Sequence, residues 1–488
     1  MKDVAHWALN IANQRGASYA DARIVDDRSR ALATKNGKIA HAAASESQGI
    51  GIRVIADGAW GFAASDNMSR AAVETTAARA FEIAKASARV KQSDVQLAPE
   101  KPATAEWTTP CKIDPFSTSI EQNLDLLMKI DAELRSVNGV TLAETNLNFH
   151  REEQWFLSSE GANIHQTKYS TGVGYVAYAF AGTEIQKRSY PTSYGGQWQN
   201  KGYELIDELK LLENARRIGE EAVALHKADQ CPEGVFTIIL DGAQLGLQIH
   251  ESIGHPIELD RVLGMEANFA GTSFLTLDKL RKLRYGSDLV TVVADARQEH
   301  GPGLGTFAFD DEGVPAQCTP IITNGLFTGY LSSRETAHTI GASRSGGTLR
   351  AEGWNRLPII RMTNISLLPG KDPLTLEQLI SDTDHGIFMK TNRSWSIDDK
   401  RYNFQFGTEI GWEIKKGKLG RMLKNCSYSG ISTEFWNSLD AICSKDEWVL
   451  WGTPNCGKGQ PQQVMGTGHG AAPSRFRNVK VGSAYKGN

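Results

Sequence analysis

One stretch constrains this chain more than any other. The apolar run Val235-Phe236-Thr237-Ile238-Ile239-Leu240 leads, ten residues on, to His250-Glu251-Ser252-Ile253-Gly254-His255. The run reads as a buried strand, and the histidine segment as a short helix carrying two imidazoles and a carboxylate. A hydrolytic metal site uses those groups: neutral imidazole nitrogens bind Zn²⁺, and a carboxylate beside them takes a proton from water at the metal. With 11 His and 56 acidic residues among 488 positions, chance predicts about 0.03 such patterns in the chain.

The spacing sets a structural condition. The second His stands at i+5, roughly 140° round a regular α-helix from the first. One metal can be shared only if the helix widens into a π-turn or ends before His255, and Gly254 supplies backbone freedom for either. The alternative is two unrelated polar residues at a helix end.

Two imidazoles do not complete a site. Cys456, in Pro454-Asn455-Cys456-Gly457-Lys458-Gly459, is the candidate third ligand, because a thiolate binds zinc well and a His₂Cys set leaves one position for water. Spacing alone does not tie it to His250, and the residues by themselves slightly favour a free buried cysteine. His469, in Gly468-His469-Gly470, is close enough in sequence to line the same cleft, as a substrate contact or a further metal candidate. Arg361 can bind a substrate carboxylate, polarise a carbonyl or hold a structural carboxylate. Asp310, Asp311 and Glu312 either orient ligand histidines from behind or form a solvated turn, and the residues alone favour the turn. His300, His338 and His385 have no motif around them, which points to surface or structural roles.

A net charge of −3 offers no electrostatic reason to expect nucleic acid or an anionic membrane as partner. The 6 cysteines are scattered without CxxC pairs, which argues against a disulfide framework. Nothing near the N-terminus resembles a signal peptide, and no apolar run approaches the ~18 residues needed to span a bilayer. A reducing cytoplasm is the expected compartment.

The chain is long enough for two or three domains. Residues 3–14 read as an amphipathic helix, 19–25 as a strand, and Asn36-Gly37 and Asp57-Gly58 as hairpin turns. A long Ala-rich helix is expected over 68–90 and a polar connection over 91–115. Thr118 and Glu121 have capping-box spacing for a helix to about 136. Strands alternate over 140–189, a loop comes next over 190–201, and one charged helix is expected over 205–227. Past the metal motif come short strands with regular turn signals, such as Asn324-Gly325 and Lys416-Gly417-Lys418. The expected fold class is α+β: an N-terminal α/β domain (1–229) of helices on a mostly antiparallel sheet, then a C-terminal β-rich, barrel-like domain (230–488) carrying the metal-site helix.

With these residues in hand, the chain resembles the TldD/PmbA family of zinc-dependent proteases. The HExxxH segment, Phe309-Asp310-Asp311-Glu312-Gly313, Arg361-Met362-Thr363-Asn364 and Cys456-Gly457-Lys458 occur in the family's order. Asn36-Gly37-Lys38, Gly49-Ile50-Gly51-Ile52-Arg53-Val54 and Trp60-Gly61-Phe62-Ala63 extend the likeness over nearly the whole chain. The resemblance implies that His250, His255 and Cys456 are zinc ligands and Glu251 the general base. It implies the metal-bearing, TldD-type subunit, because the PmbA-type (TldE) partner lacks HExxxH. It also implies peptide or unfolded-protein substrates reached through a chamber between two subunits, in a homodimer or a heterodimer with a PmbA-type partner. Two alternatives stay open: a metal hydrolase acting on another amide, and a non-catalytic peptide-binding subunit. The intact Glu251 argues against the second.

Overall fold

The structure, a computed structural model, describes residues 1–483. Its first half is one eight-stranded sheet with helices on it. Strands Tyr19–Lys35 and Lys38–Ala56 pair antiparallel from Tyr19↔Ile55 to Lys35↔Lys38. Asn36 (φ 48°) and Gly37 (φ 74°) turn that hairpin; both angles are positive, as the tight turns that match strand twist require. Leu142–Ser158 and Asn163–Ala181 extend the sheet antiparallel, and Thr104–Thr108 joins its far edge in parallel. That last strand lies inside the segment read as a plain connection.

Two pairs of helices cover the sheet. Lys2–Gln14 buries Ala5, Ala8, Leu9 and Ala12, one helical face, and with Arg70–Ser87 packs on Ile50, Ile52 and Val54. Ile120–Arg135 and Leu211–Ala224 pack Leu127, Ile130, Leu134 and Ile218 on Leu147, Phe149 and Tyr175. Two expectations shift here. The capping box is Ser119 with Gln122, one residue later than expected, while the Thr118 hydroxyl donates to the Pro115 carbonyl at 2.9 Å. The single helix over 205–227 is broken at Lys210 (φ 48°) into Glu204–Glu208 and Leu211–Ala224. Its first piece is held back by the Glu204 carboxylate, which accepts the N–H groups of Lys112, Ile113 and Gly202.

The second half is built round a closed ring of strands: His385–Ile397, Gly234–Leu240, Ser474–Ser483, Cys426–Ile431 and Asn403–Lys415, the last pairing again with the first. This is a five-stranded barrel, antiparallel except where Gly234–Leu240 runs parallel to His385–Ile397. The α+β class and the barrel-like C-terminal half are therefore as the turn spacing led one to expect. Beside the barrel lie a four-stranded sheet that ends on Ile365–Leu367 and the hairpin Val449–Lys458/Gln463–Ala471.

The seam between the halves is where Asp310, Asp311 and Glu312 sit. All three are buried, so the solvated-turn reading is wrong, and they pair with groups other than His250 and His255. Asp311 accepts from Arg23 (2.9 Å), Gln154 (2.9 Å) and the Ala351 N–H (2.7 Å), tying the N-terminal sheet to the C-terminal half. Burial pushes its carboxyl up, but Arg23, Lys168 and the hydrogen bonds outweigh it and hold it below the ordinary value. Glu312, which accepts the Arg334 N–H, is pushed up to about 7 by burial. Burial and the neighbouring Glu312 also raise the Asp310 carboxyl well above its ordinary value. Asp311→Ala leaves the Arg23 guanidinium buried and uncompensated, and is expected to cost about 3–5 kcal/mol in urea unfolding. A loss under about 1 kcal/mol would show that the seam does not depend on this pair.

Candidate metal centre

The barrel strand Gly234–Leu240 delivers the helix Gly242–Ile249 straight into the core. Asp241 caps it, its carboxylate accepting the Gln244 N–H at 2.9 Å. The helix then widens. Over His250–Gly254 the backbone takes up a π-turn, closed by the His255 N–H donating to the His250 carbonyl five residues back. Pro256, which has no N–H, fits the short tighter turn that ends the segment. The widening brings the two imidazoles onto one side, with ring centroids 4.8 Å apart and planes at 84°.

Gly254 plays a different part from the one expected. Its backbone is ordinary right-handed helix (φ −61°, ψ −55°), so no special freedom is used. Instead a Cβ there would lie 2.3 Å from the Met362 sulfur. The glycine lets the Arg361-Met362-Thr363-Asn364 segment pack directly on the widened turn.

Cys456 arrives from the hairpin Val449–Lys458/Gln463–Ala471. Register shifts between Thr453 and Cys456, an irregularity of the kind that re-aims a side chain. Its sulfur lies 3.9 Å from His255 Nε2, and the donor atoms of His250, His255 and Cys456 all lie within 4.8 Å of one another. Ligands round a tetrahedral ion with bonds of about 2.0–2.3 Å stand roughly 3.5 Å apart. The set therefore fits one metal ion after closing by about an ångström at its widest.

The hydrogen bonds behind the histidines decide which nitrogen is left free for a metal ion. The Ile365 carbonyl can only accept, so His469 Nδ1 donates to it (3.2 Å). In a neutral ring His469 Nε2 then accepts, and His250 Nδ1 donates to it at 2.8 Å. His255 Nδ1 donates to the Glu258 carboxylate at 3.0 Å. Both rings are left with an Nε2 lone pair for the metal, each fixed by a partner behind it. Burial pushes both imidazoles below their ordinary value, which keeps them neutral. Burial would raise the Cys456 thiol, but His255 and Arg361 outweigh it and hold it below the ordinary range, favouring thiolate.

The motif residues round the site interlock. Lys458, fully buried, reaches Asp260 (2.7 Å) and Glu258 (3.4 Å), pinning the cysteine hairpin to the chain just after His255. Arg361 donates to the Cys456 carbonyl at 2.5 Å and to the Gln463 carbonyl at 3.4 Å. The Thr363 carbonyl accepts from the Thr467 hydroxyl at 2.5 Å. Arg361 and His469 are each 1% exposed and lie behind the donor set. Glu258 was not anticipated, although its His-x-x-Glu spacing from His255 marks one face of a turn. Glu258→Gln exchanges an anionic acceptor for a neutral one behind His255. It is expected to weaken metal binding about 10–100-fold in a chelator competition titration. Unchanged affinity would show that Glu258 does not support the site.

Glu251 is 5% exposed and forms an ion pair, through Oε2, with Nη1 of Arg401. Arg401 stands at the tip joining strands His385–Ile397 and Asn403–Lys415. Nothing in the sequence singled it out: Asp398-Asp399-Lys400-Arg401 reads as a solvated turn.

Comparison with known proteins gives a consistent result. Three family models match: PmbA/TldA metallopeptidase domain 1 over residues 20–84, the central domain over 113–228 and the C-terminal domain over 233–483. A metalloprotease of Methanocaldococcus jannaschii is 31% identical over 455 residues, 93% of this chain and 95% of its own length. A zinc metalloprotease TldD homolog of Saccharolobus solfataricus is 24% identical over 478 residues, 96% of this chain and 98% of its own. Among solved structures, TldE from Thermococcus kodakarensis superposes with a TM-score of 0.71 at 16% identity, covering 99% of each chain, a likeness of fold.

Proposed function

The chain belongs to the PmbA/TldD metallopeptidase family, and we propose that it hydrolyses peptide bonds in peptides or unfolded proteins with one zinc ion held by His250, His255 and Cys456. The observation that carries this reading is the donor cluster itself. Two neutral imidazoles and a thiol disposed to ionise converge within 4.8 Å, with a carboxylate next to the first imidazole. A purely structural site has no use for Glu251 there. The donor chemistry suits zinc, and zinc is the metal named for the Saccharolobus solfataricus relative.

When bound, the zinc supplies a lowered water pKa and polarisation of the scissile carbonyl. The protein's own residues do the rest. Glu251 accepts the proton of the attacking water and returns it to the leaving amine nitrogen. Glu258 and His469 fix the two imidazoles, and Lys458 and Arg361 hold the hairpin that presents Cys456. Arg361 and His469, candidate substrate contacts at the sequence level, support the ligand set in this reading.

No helix among the described residues is long and apolar enough to cross a membrane. A protease that cuts unfolded chains needs its site shielded from other proteins. The short stretch Met265–Ser273, with a single helical turn over Ala267–Ala270, is a slight cover. A second subunit is the simpler shield, a homodimer or a heterodimer with a TldE-type chain, and TldE shares this fold. The test is to purify the protein, weigh it in dilute solution and measure zinc and cleavage of an unfolded protein, alone and with a TldE-type chain. The expected result is zinc-dependent cleavage by a dimer burying well over ~1,200 Å². A stable, fully active monomer that digests folded and unfolded proteins alike contradicts the guarded site.

A further inference from the structure

The geometry points to Arg401 as a second catalytic residue: its guanidinium holds the carbonyl oxygen of the scissile bond as that oxygen becomes negative. This deepens the reading above and depends on it.

Three observations converge. The first is where the charge sits. Arg401 pairs with Glu251, the residue next to His250, and is close enough for its positive charge to act on both His250 and His255. The second is what remains unused. Nη1 is given to Glu251, while Nε is buried with no partner. A guanidinium carries five N–H donors in a fixed fork, so holding Glu251 leaves others for a substrate oxygen. Of the other buried cations nearby, Lys458 is committed to Asp260 and the Ile360 carbonyl. Arg361 and Arg350 also leave a buried Nε without a partner, but Arg361, 1% exposed, is turned to the Cys456 and Gln463 carbonyls, and Arg350, 7% exposed, to the Met362 and Gly466 carbonyls. Arg261 is committed to Glu266 and the carbonyls of Thr272 and Asp399. Arg401 also keeps a 16% exposed side chain, where Lys458 and Arg261 have none.

The third observation is how firmly the residue is held. Arg401 has φ 65°, a left-handed conformation that is unfavourable for a non-glycine residue. The tip enforces it. The Arg401 N–H donates to the Asp398 carbonyl at 2.8 Å, and its own carbonyl accepts the Ser432 hydroxyl at 3.1 Å. The Lys400 carbonyl accepts the Phe274 N–H at 3.0 Å, and the Asp399 carbonyl accepts from Arg261 at 2.7 Å.

The step balances with water as the only co-reactant. The water oxygen adds to the carbonyl carbon, and the carbonyl π pair moves onto its oxygen, where the free Arg401 N–H groups hold it. The water proton passes to Glu251 and then to the amide nitrogen, the C–N bond breaks, and the amine leaves. Donors already oriented at a developing oxyanion are worth about 10²–10³ in turnover.

The experiment compares Arg401→Ala and Arg401→Lys with the wild type. Its readouts are zinc content, thermal melting, kcat and KM on an unfolded-peptide substrate, and binding of a phosphinic peptide by calorimetry. The phosphinic group is tetrahedral and anionic, and stands in for the charged carbonyl oxygen. Binding of the parent peptide is measured in the Glu251→Gln background with and without Arg401→Ala. Arg401→Ala is expected to keep zinc, lower kcat about 10²–10³-fold and weaken the phosphinic peptide by a similar factor, with parent-peptide binding changed only a few-fold. Arg401→Lys should recover part of both. Undiminished phosphinic-peptide affinity in Arg401→Ala overturns the proposal, whatever happens to kcat, and so does loss of zinc or of the cooperative melt in both variants. The reading it depends on fails separately, in the wild type, as absence of zinc or of cleavage.

Discussion

Glu251→Gln is expected to retain metal and fold while losing turnover by about 10²-fold or more, the scale of a positioned acid–base group. The structure explains why the loss should be confined to chemistry. Glu251 is not among the three donors that converge, so the substitution removes no ligand. It sits 5% exposed against Arg401, and a glutamine oxygen can still accept from that guanidinium. What is lost is the ability to take a proton. Zinc analysis, thermal melting and steady-state kinetics on one preparation check all three parts. Near-normal cleavage by this variant rules Glu251 out as the base.

The second large effect concerns the metal. His250→Ala, His255→Ala and Cys456→Ala are each expected to lose nearly all bound zinc, because two remaining protein ligands do not make a stable tetrahedral site. His469→Ala should behave differently. It removes a hydrogen bond behind His250, not a donor, so affinity should fall about 10–100-fold with binding still saturable. The contrast between the Cys456 and His469 variants carries the assignment. If Cys456→Ala kept full zinc content and His469→Ala lost it, the third ligand would be His469. Loss of activity in all four would not discriminate, so zinc content is the quantity to read.

Much of this site was legible in the sequence, and the rest was hidden for physical reasons. The i+5 spacing of His250 and His255 demanded a widened turn or a helix end. The chain supplies the widened turn, closed by the His255 N–H on the His250 carbonyl. Local spacing can carry that inference because both residues belong to one turn. Cys456 is 201 residues from His255, and no periodicity reaches so far; only the resemblance linked them. Asp310, Asp311 and Glu312 misled because three acids before a glycine describe a solvated turn in composition, whereas here tertiary partners hold them inside: Arg23 and Gln154 of the N-terminal sheet for Asp311, the Leu349 N–H for Asp310 and the Arg334 N–H for Glu312. Gly254 misled in a smaller way, being required by the Met362 sulfur and not by its own dihedral angles. Arg401 was invisible because a hairpin tip of two acids and two bases looks the same whether it meets solvent or a buried carboxylate.

Tertiary packing also explains why the family's motifs stand in separate places along the chain yet act together. Arg361 holds the Cys456 backbone, Met362 fills the space above Gly254, the Thr363 carbonyl receives the Thr467 hydroxyl, and the Ile365 carbonyl fixes His469. One short segment thus keeps the metal-site helix and the cysteine hairpin in register.

That His250, His255 and Cys456 together hold one zinc ion is tested most directly by X-ray absorption at the zinc edge of the purified protein. The expected spectrum shows two imidazole nitrogens at about 2.0–2.1 Å and one sulfur at about 2.3 Å, with about one zinc per chain and the sulfur shell vanishing in Cys456→Ser. A zinc-loaded wild-type protein whose spectrum shows no sulfur shell would contradict it.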